Sequence, residues 1–374
     1  MSRWLPTISA LDLWHESART CSGYSENKLL SEDVTTFNGS KFRDCRVPAH
    51  QRSTMACARC PVSSRPPRAR VPPRWRVGRG VRILASHRDM PPLFDAGVPL
   101  EALPWGVEGD APISSRRFRY KAEDGETDLE AYFAWDPSLL EGGDEGLPGV
   151  LVAHTAIGPQ EVFVHTCCDA LARMGFAAFA LDAFGAGKCV FDKAERDALF
   201  GALRVDRTRH ARRILKAYEA LIEQPEVSST GSIFGIGFCL GGMAVLDLAR
   251  FRSAPRLRGV VSFHGSLDRP QIADPEVSQG SGSEKGSTSC LLLHGAADPF
   301  SSPENVAECL SGLKDLGLPV RLVEFENVKH GFTRPEKTTP EDSDAGFAYD
   351  ADAAAKSWAM TKAFLHAGGD LEAV

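Results

Sequence analysis

Residues 237–242, Gly237-Phe238-Cys239-Leu240-Gly241-Gly242, constrain the fold of this chain more than any other stretch. They have the form glycine–x–nucleophile–x–glycine, a nucleophile elbow with cysteine at the position more often held by serine. An apolar lead-in, Ser232-Ile233-Phe234-Gly235-Ile236, precedes them, and an apolar helical pattern, Met243-Ala244-Val245-Leu246-Asp247-Leu248-Ala249, follows. The reading is a strand, a sharp turn and a helix. A residue at such a turn is held in a strained backbone conformation, so its neighbours must be small. Gly237 and Gly241 let strand and helix approach closely, and the helix N-terminus beneath Cys239 favours a thiolate over a thiol.

The stretches around this turn alternate strand and helix. Residues 118–121 and 129–135 read as a hairpin with Asp124-Gly125 in its turn. Further strands are expected at 149–154, 177–182, 258–263, 290–294 and 320–325, and helices at 160–174, 193–203, 206–223, 303–316 and 351–365. Such alternation argues for an α/β fold with a mostly parallel central sheet and helices on both faces. Residues 279–287 read as a flexible surface insertion rich in glycine and serine.

A thiol nucleophile needs a base, and the base needs a group to orient it. In open parallel sheets, sites form at the carboxyl ends of strands. Two loops after Cys239 supply what is needed. Asp298 lies in His294-Gly295-Ala296-Ala297-Asp298-Pro299, after one strand, and His330 in Val328-Lys329-His330-Gly331-Phe332, after the next. The order nucleophile, acid, histidine is that of α/β-hydrolases. His330 would take the Cys239 proton, or already hold it as an ion pair, and Asp298 would orient the imidazole. Two backbone N–H groups would hold an oxyanion: that of Leu240, and one from the loop His154-Thr155-Ala156-Ile157-Gly158, for which Ala156 is favoured. His264, also after a strand, is a rival base. His154 and His294 are expected to be packed or hydrogen-bonded, and Cys167, Cys168 and Cys290 to be core residues.

Composition narrows the class. The chain has 374 residues and a net charge of −6, so no general basic balance suggests a nucleic-acid partner. No apolar run approaches the roughly 18 residues of a membrane span. Ten cysteines without a spacing framework argue against a disulfide scaffold. A catalytic thiol suits a reducing compartment, so an intracellular, cytoplasmic location is expected. Residues 1–90 read as an Arg/Pro-rich disordered extension, since 46–88 holds many arginines and no acidic residue. That composition resembles a plastid or mitochondrial transit peptide. Alternatively Met55 or Met90 is the true start. Cys57 and Cys60 form a C-x-x-C without a second ligand pair, which makes zinc improbable. The folded domain is expected over 91–374.

From about residue 115 to 368 the chain resembles the dienelactone hydrolase family. The resemblance rests on residues 237–242, on Val261-Ser262-Phe263-His264-Gly265, on 294–299, on His330-Gly331-Phe332 and on the segment from Ala348 to Trp358. It implies an α/β-hydrolase fold, Cys239, Asp298 and His330 as a catalytic triad, and no metal or organic cofactor. It further implies a small ester or lactone substrate, one that in the dienelactone-specific members carries a carboxylate bound by two arginines. Arg334, four residues after His330, is similar in position to one of these, and Arg196 to the other. The expected enzyme is a carboxymethylenebutenolidase-like ester hydrolase acting through a thioacyl intermediate, a monomer or weak homodimer with neither nucleic-acid nor membrane partner. The alternatives are an esterase or thioesterase of other range, or a catalytically silent binding protein. One departure stands out. Dienelactone-specific members carry a glutamate after the first central strand that helps activate the thiol, where this chain has Thr155.

Overall fold

The computed structural model describes residues 98–106, 112–141, 146–270 and 288–374, together with the backbone of Arg82–Ile83. The basic segment with Cys57 and Cys60, the candidate starts Met55 and Met90, and the insertion at 279–287 lie outside the described residues.

One nine-stranded sheet organises the described chain. Its strands are β1 (Arg82–Ile83), β2 (Ser114–Lys121), β3 (Asp128–Trp135), β4 (Gly149–Ala153), β5 (Ala177–Leu181), β6 (Ile233–Phe238), β7 (Leu257–Phe263), β8 (Ser289–Gly295) and β9 (Val320–Phe325), in spatial order β1-β2-β3-β5-β4-β6-β7-β8-β9. The pairs β1–β2, β2–β3 and β3–β5 are antiparallel, and every pair from β5–β4 to β8–β9 is parallel. The β2–β3 hairpin closes because the Asp124 carboxylate accepts the N–H groups of Glu126 (2.9 Å) and Thr127 (2.8 Å), while Gly125 takes φ +73°.

The helices are α1 (Val162–Arg173), α2 (Lys193–Val205), α3 (Arg207–Ile222), α4 (Leu240–Phe251), α5 (Pro303–Asp315), α6 (Pro340–Asp344) and α7 (Ala351–His366). They cover both faces. Tyr218 and Leu221 of α3, Met243 and Leu246 of α4 and Leu313 of α5 share one apolar core with Leu151 and Phe179. Phe163 and Leu171 of α1 and Trp358 and Phe364 of α7 share the other with Val150, Val152 and Phe234. Strand alternation explains the division: Ile236 and Phe238 point to the second core, and Gly235 and Gly237 face α4. Trp105 joins the second core against Phe163 (4.9 Å), Phe238 (5.8 Å) and Trp358 (5.4 Å). Among the described residues no helix is long and apolar enough to cross a membrane.

Helix α4 is buried along its whole length. It carries one acid, Asp247, which is held by Arg207 of α3 (Nε 2.6 Å, Nη2 2.7 Å) and by Arg250 (Nη1 3.0 Å). Arg207 also reaches Asp268 at 2.7 Å, and Arg250 donates to the Asp268 carbonyl at 2.8 Å. A buried carboxylate needs such partners, and here they lash the elbow helix to its neighbour.

The elements match the sequence pattern to within a residue or two at most ends; β2, at 114–121, begins four residues earlier than expected. The short helix α6 was not expected. It rests on a local device, a capping box in which the Thr339 hydroxyl accepts the Asp342 N–H and the Asp342 carboxylate accepts the Thr339 N–H.

Candidate active site

Cys239 stands at the C-terminal end of the central strand β6 with φ +57° and ψ −115°, outside the regions an L-residue prefers. The glycines around it are obligatory. A Cβ on Gly237 would lie 1.9 Å from the Gly241 carbonyl oxygen, and one on Gly241 would lie 2.2 Å from that of Ala153. The turn is pinned by the Cys239 N–H on the Phe263 carbonyl (3.0 Å) and the Gly242 N–H on the Cys239 carbonyl (3.0 Å). The thiol is half-buried.

His330 follows β9 in a loop held in place by its own N–H on the Gly346 carbonyl (3.2 Å) and by the Ala348 N–H on its carbonyl (3.1 Å). Its imidazole lies close enough to the Cys239 sulfur for each group to shift the other's titration, and its Nδ1 lies 2.7 Å from Asp298 Oδ2. Asp298, in the loop after β8, has its other oxygen occupied by the Phe300 N–H at 2.8 Å. The structure therefore brings Cys239, His330 and Asp298, the three candidates from sequence, into one connected row. Burial works against charge at both reactive groups, pushing the thiol up and the imidazole down. For Cys239 the positive imidazole, its hydrogen bond and the Leu240 N–H outweigh burial, and the thiol ends below its ordinary range although the Asp298 charge opposes this. For His330 the thiolate and the Asp298 carboxylate outweigh burial, and the imidazole ends above its ordinary range. Both directions favour a thiolate–imidazolium pair at rest.

A pH dependence follows. With the thiol lowered, thiolate persists to lower pH than in an unperturbed thiol and is lost only as pH falls through that lowered value. Alkylation of Cys239 by iodoacetamide should therefore fall off at lower pH than that of an unperturbed thiol, which slows about tenfold per unit below its ordinary value. In His330→Gln the imidazole charge is lost and the Leu240 N–H alone opposes burial and the Asp298 charge, so the rate at pH 6.5 should drop by at least about tenfold. A wild-type profile that climbs steadily to pH 8.5 would exclude the ion pair.

His264, the rival base, is buried and lies behind His330, edge to face at 5.0 Å. Its Nε2 is hydrogen-bonded to Thr333 Oγ1 at 2.8 Å, and burial first, then the positive charges of His330 and Arg334, push it well down, so it stays neutral. His294 is buried and also lowered by burial. His154 is fully buried and hydrogen-bonded, and Cys167, Cys168 and Cys290 lie in the core, as expected.

Leu240 offers its N–H at the sulfur. The loop bearing Ala156 starts beside the elbow: Ala153 is in register with Gly237, and a Cβ on Gly241 would lie 2.8 Å from the His154 carbonyl oxygen. Among the described residues no protein acceptor takes the Ala156 N–H, whereas the Ile157 N–H donates to Thr155 Oγ1 at 3.2 Å. Phe300, 45% exposed, and Phe347 set their rings edge-on against His330 at 5.0 and 5.3 Å.

The two arginines fare differently. Arg196 is half-exposed on α2. Arg334 is buried and already paired: Nη2 donates to Glu161, Nε donates to Glu336 at 2.6 Å, and the guanidinium lies over Phe163 at 4.4 Å. Thr155 cannot supply the carboxylate sought at its position, but its hydroxyl lies 3.4 Å from Glu161 Oε2. Glu161 is thus a fully buried acid of this neighbourhood that sequence reasoning missed. It stands at the N-cap of α1 without capping it, a departure from usual cap behaviour that nothing in the local sequence announces. Among the described residues no group of three or more His, Cys, Asp or Glu side chains is disposed to hold a metal ion.

Comparison with known proteins agrees with this fold. A sequence model described as the dienelactone hydrolase family matches residues 138–368. An uncharacterized protein of Caenorhabditis elegans is 31% identical over 153 residues, 41% of this chain and 90% of its own length. Among solved structures, a dienelactone hydrolase-like promiscuous phosphotriesterase from metagenomic libraries is 31% identical with a TM-score of 0.58, covering 68% of this chain and 98% of its own. The structure named m3DLH is 28% identical with a TM-score of 0.57, covering 67% and 96%.

Proposed function

The chain belongs to the dienelactone hydrolase family, and from that premise we propose that it hydrolyses a small ester or lactone through Cys239, His330 and Asp298. The observation that carries this reading is the His330 imidazole, hydrogen-bonded to Asp298 and lying beside the Cys239 sulfur, each of the two lowering or raising the other's titration toward an ion pair. The thiolate attacks the ester carbonyl carbon, and the carbonyl electron pair moves to oxygen. The Leu240 and Ala156 N–H groups hold that oxyanion. Collapse breaks the C–O bond, and the leaving alkoxide takes the His330 proton. Water then attacks the thioester while His330 accepts its proton, releasing a carboxylic acid and restoring the thiolate.

Within that reaction the site favours a neutral ester over a carboxylate-bearing lactone. Arg334 is already neutralised by Glu161 and Glu336, and the exposed ring of Phe300 lies edge-on against His330. A substrate carboxylate would have to displace a buried ion pair, or find Arg196. The experiment compares kcat/KM for a p-nitrophenyl alkanoate, the same ester carrying a terminal carboxylate, and dienelactone, in wild type and in Cys239→Ala. Equal turnover by both proteins would end the nucleophile assignment. A preference of at least about tenfold for the neutral ester is expected, since Glu161 and Glu336 already balance the Arg334 charge and leave only its buried Nη1 without a hydrogen-bond partner. Preference for the carboxylate form would return Arg334 to the role of substrate binder. A neutral phosphotriester belongs in the same panel, given the activity named for the metagenomic relative.

A further inference from the structure

The loop between β4 and α1 holds one peptide unit from two directions. The carbonyl of Thr155 and the N–H of Ala156 belong to the same unit, and no cis peptide occurs among the described residues, so fixing the first aims the second the opposite way. That carbonyl lies 2.6 Å from His154 Nδ1. The tautomer follows from the other ring nitrogen. His154 Nε2 accepts the Ala183 N–H at 3.1 Å, so the proton sits on Nδ1 and is donated to the Thr155 carbonyl. Burial holds this imidazole down to about 4, so it stays neutral and keeps both bonds through neutral pH. On the other side of Ala156, the Thr155 hydroxyl accepts the Ile157 N–H at 3.2 Å and lies 3.4 Å from Glu161 Oε2. Beyond that, the Val190 N–H fixes the Ile157 carbonyl at 2.7 Å. Of the two adjacent N–H groups, Ile157 is turned into the loop and Ala156 is left without a protein acceptor.

We propose that His154 and Thr155 are positioning residues of the oxyanion hole: the imidazole fixes the carbonyl end of the 155–156 peptide, and the hydroxyl sequesters the Ile157 N–H, so that Ala156 alone presents its N–H to the substrate oxygen. The position where relatives of the dienelactone-specific kind place an acid is here a loop-shaping hydroxyl. This rests on the acyl-transfer reading above.

The test separates the two claims. Thr155→Val keeps shape and removes the hydroxyl. We expect kcat on a p-nitrophenyl ester to fall between about tenfold and about a hundredfold, less than the ~10²–10³ for deleting a donor outright, with KM changed less than about threefold. Thr155→Ser should recover to within about threefold of wild type. His154→Leu should lower kcat likewise, and His154→Asn, which keeps an N–H donor near the Nδ1 position, should lose less. Cys239 alkylation rates should be unchanged throughout, because alkylation forms no oxyanion. Wild-type kcat in Thr155→Val, a loss that serine does not restore, or a loss matched by slower alkylation would each overturn the assignment. Activity retained in Cys239→Ala would instead sink the acyl-transfer reading itself.

Discussion

Cys239→Ala is expected to lower kcat for ester hydrolysis by at least about 10⁴-fold, with the fold intact. The side chain changed is small and half-buried, so little packing is lost. What disappears is the only atom in the row that can form the acyl bond. His330 and Asp298 would remain, and a general base beside bound water accounts for a small residual rate. Mass spectrometry adds a second reading. Wild type quenched during turnover of a slow ester should carry one acyl group on Cys239, and the variant none. Cys239→Ser should fall between the two. It keeps the turn, but an alcohol has no resting anion and must lose its proton during attack. Acylation at any other residue, or turnover surviving in the alanine variant, would remove the thiol from the mechanism.

The second large effect concerns stability. Asp247→Ala should cost about 3–5 kcal/mol, because it leaves Arg207 and Arg250 buried and short of a counter-charge. The two arginine side chains are 6% and 3% exposed and the Asp247 side chain is 0%. Burial pushes the Asp247 carboxyl up, but the charges of Arg207 and Arg250 and the Arg207 hydrogen bonds prevail, holding it well below the usual carboxylate range. With the folded value depressed, this stabilisation is fully present above the unfolded value near 4. It is lost as pH falls through the lower, folded value, so it operates across all ordinary working conditions. Urea denaturation of wild type and Asp247→Ala at pH 7 should show a lower midpoint with an unchanged slope. A shift worth under about 1 kcal/mol would mean that Asp268 alone satisfies Arg207. Activity per folded molecule need not change, which distinguishes this variant from those at the cleft.

The sequence made the sheet and the row of three side chains legible for different reasons. Strand β6 and helix α4 announce themselves because glycines 237 and 241 are needed where backbone meets backbone, a requirement visible in the residues themselves. Asp298 and His330 were found because parallel strands deliver their following loops to one end of the sheet. Glu161 was not found. Its partner Arg334 is 173 positions away, and neither residue sits in a pattern that names the other. The role of Arg334 suffered for the same reason: an arginine near a candidate base reads as a free cation until its two buried carboxylate partners are seen. His154 was legible as a hydrogen-bonded histidine, but the identity of its acceptor depends on a loop conformation that periodicity does not encode. Helix α2 shows a milder version. Its pattern is amphipathic, yet none of its residues is fully buried, so sequence placed the helix without saying how little covers it.

The candidate side chains Cys239 and His330 are distributed unevenly across the sheet. Sulfur rides on β6, flanked by β4 and β7, while the imidazole rides beyond β9, the outermost parallel strand, whose residues are only partly covered. Amide hydrogens of Val320–Phe325 should therefore exchange with solvent through small local openings, while those of Ile233–Phe238 wait for global unfolding. Fraying at that margin would detach the His330 imidazole while the Cys239 sulfur stays seated, so, on the proposed reaction, rising urea should extinguish turnover before the bulk of the sheet melts.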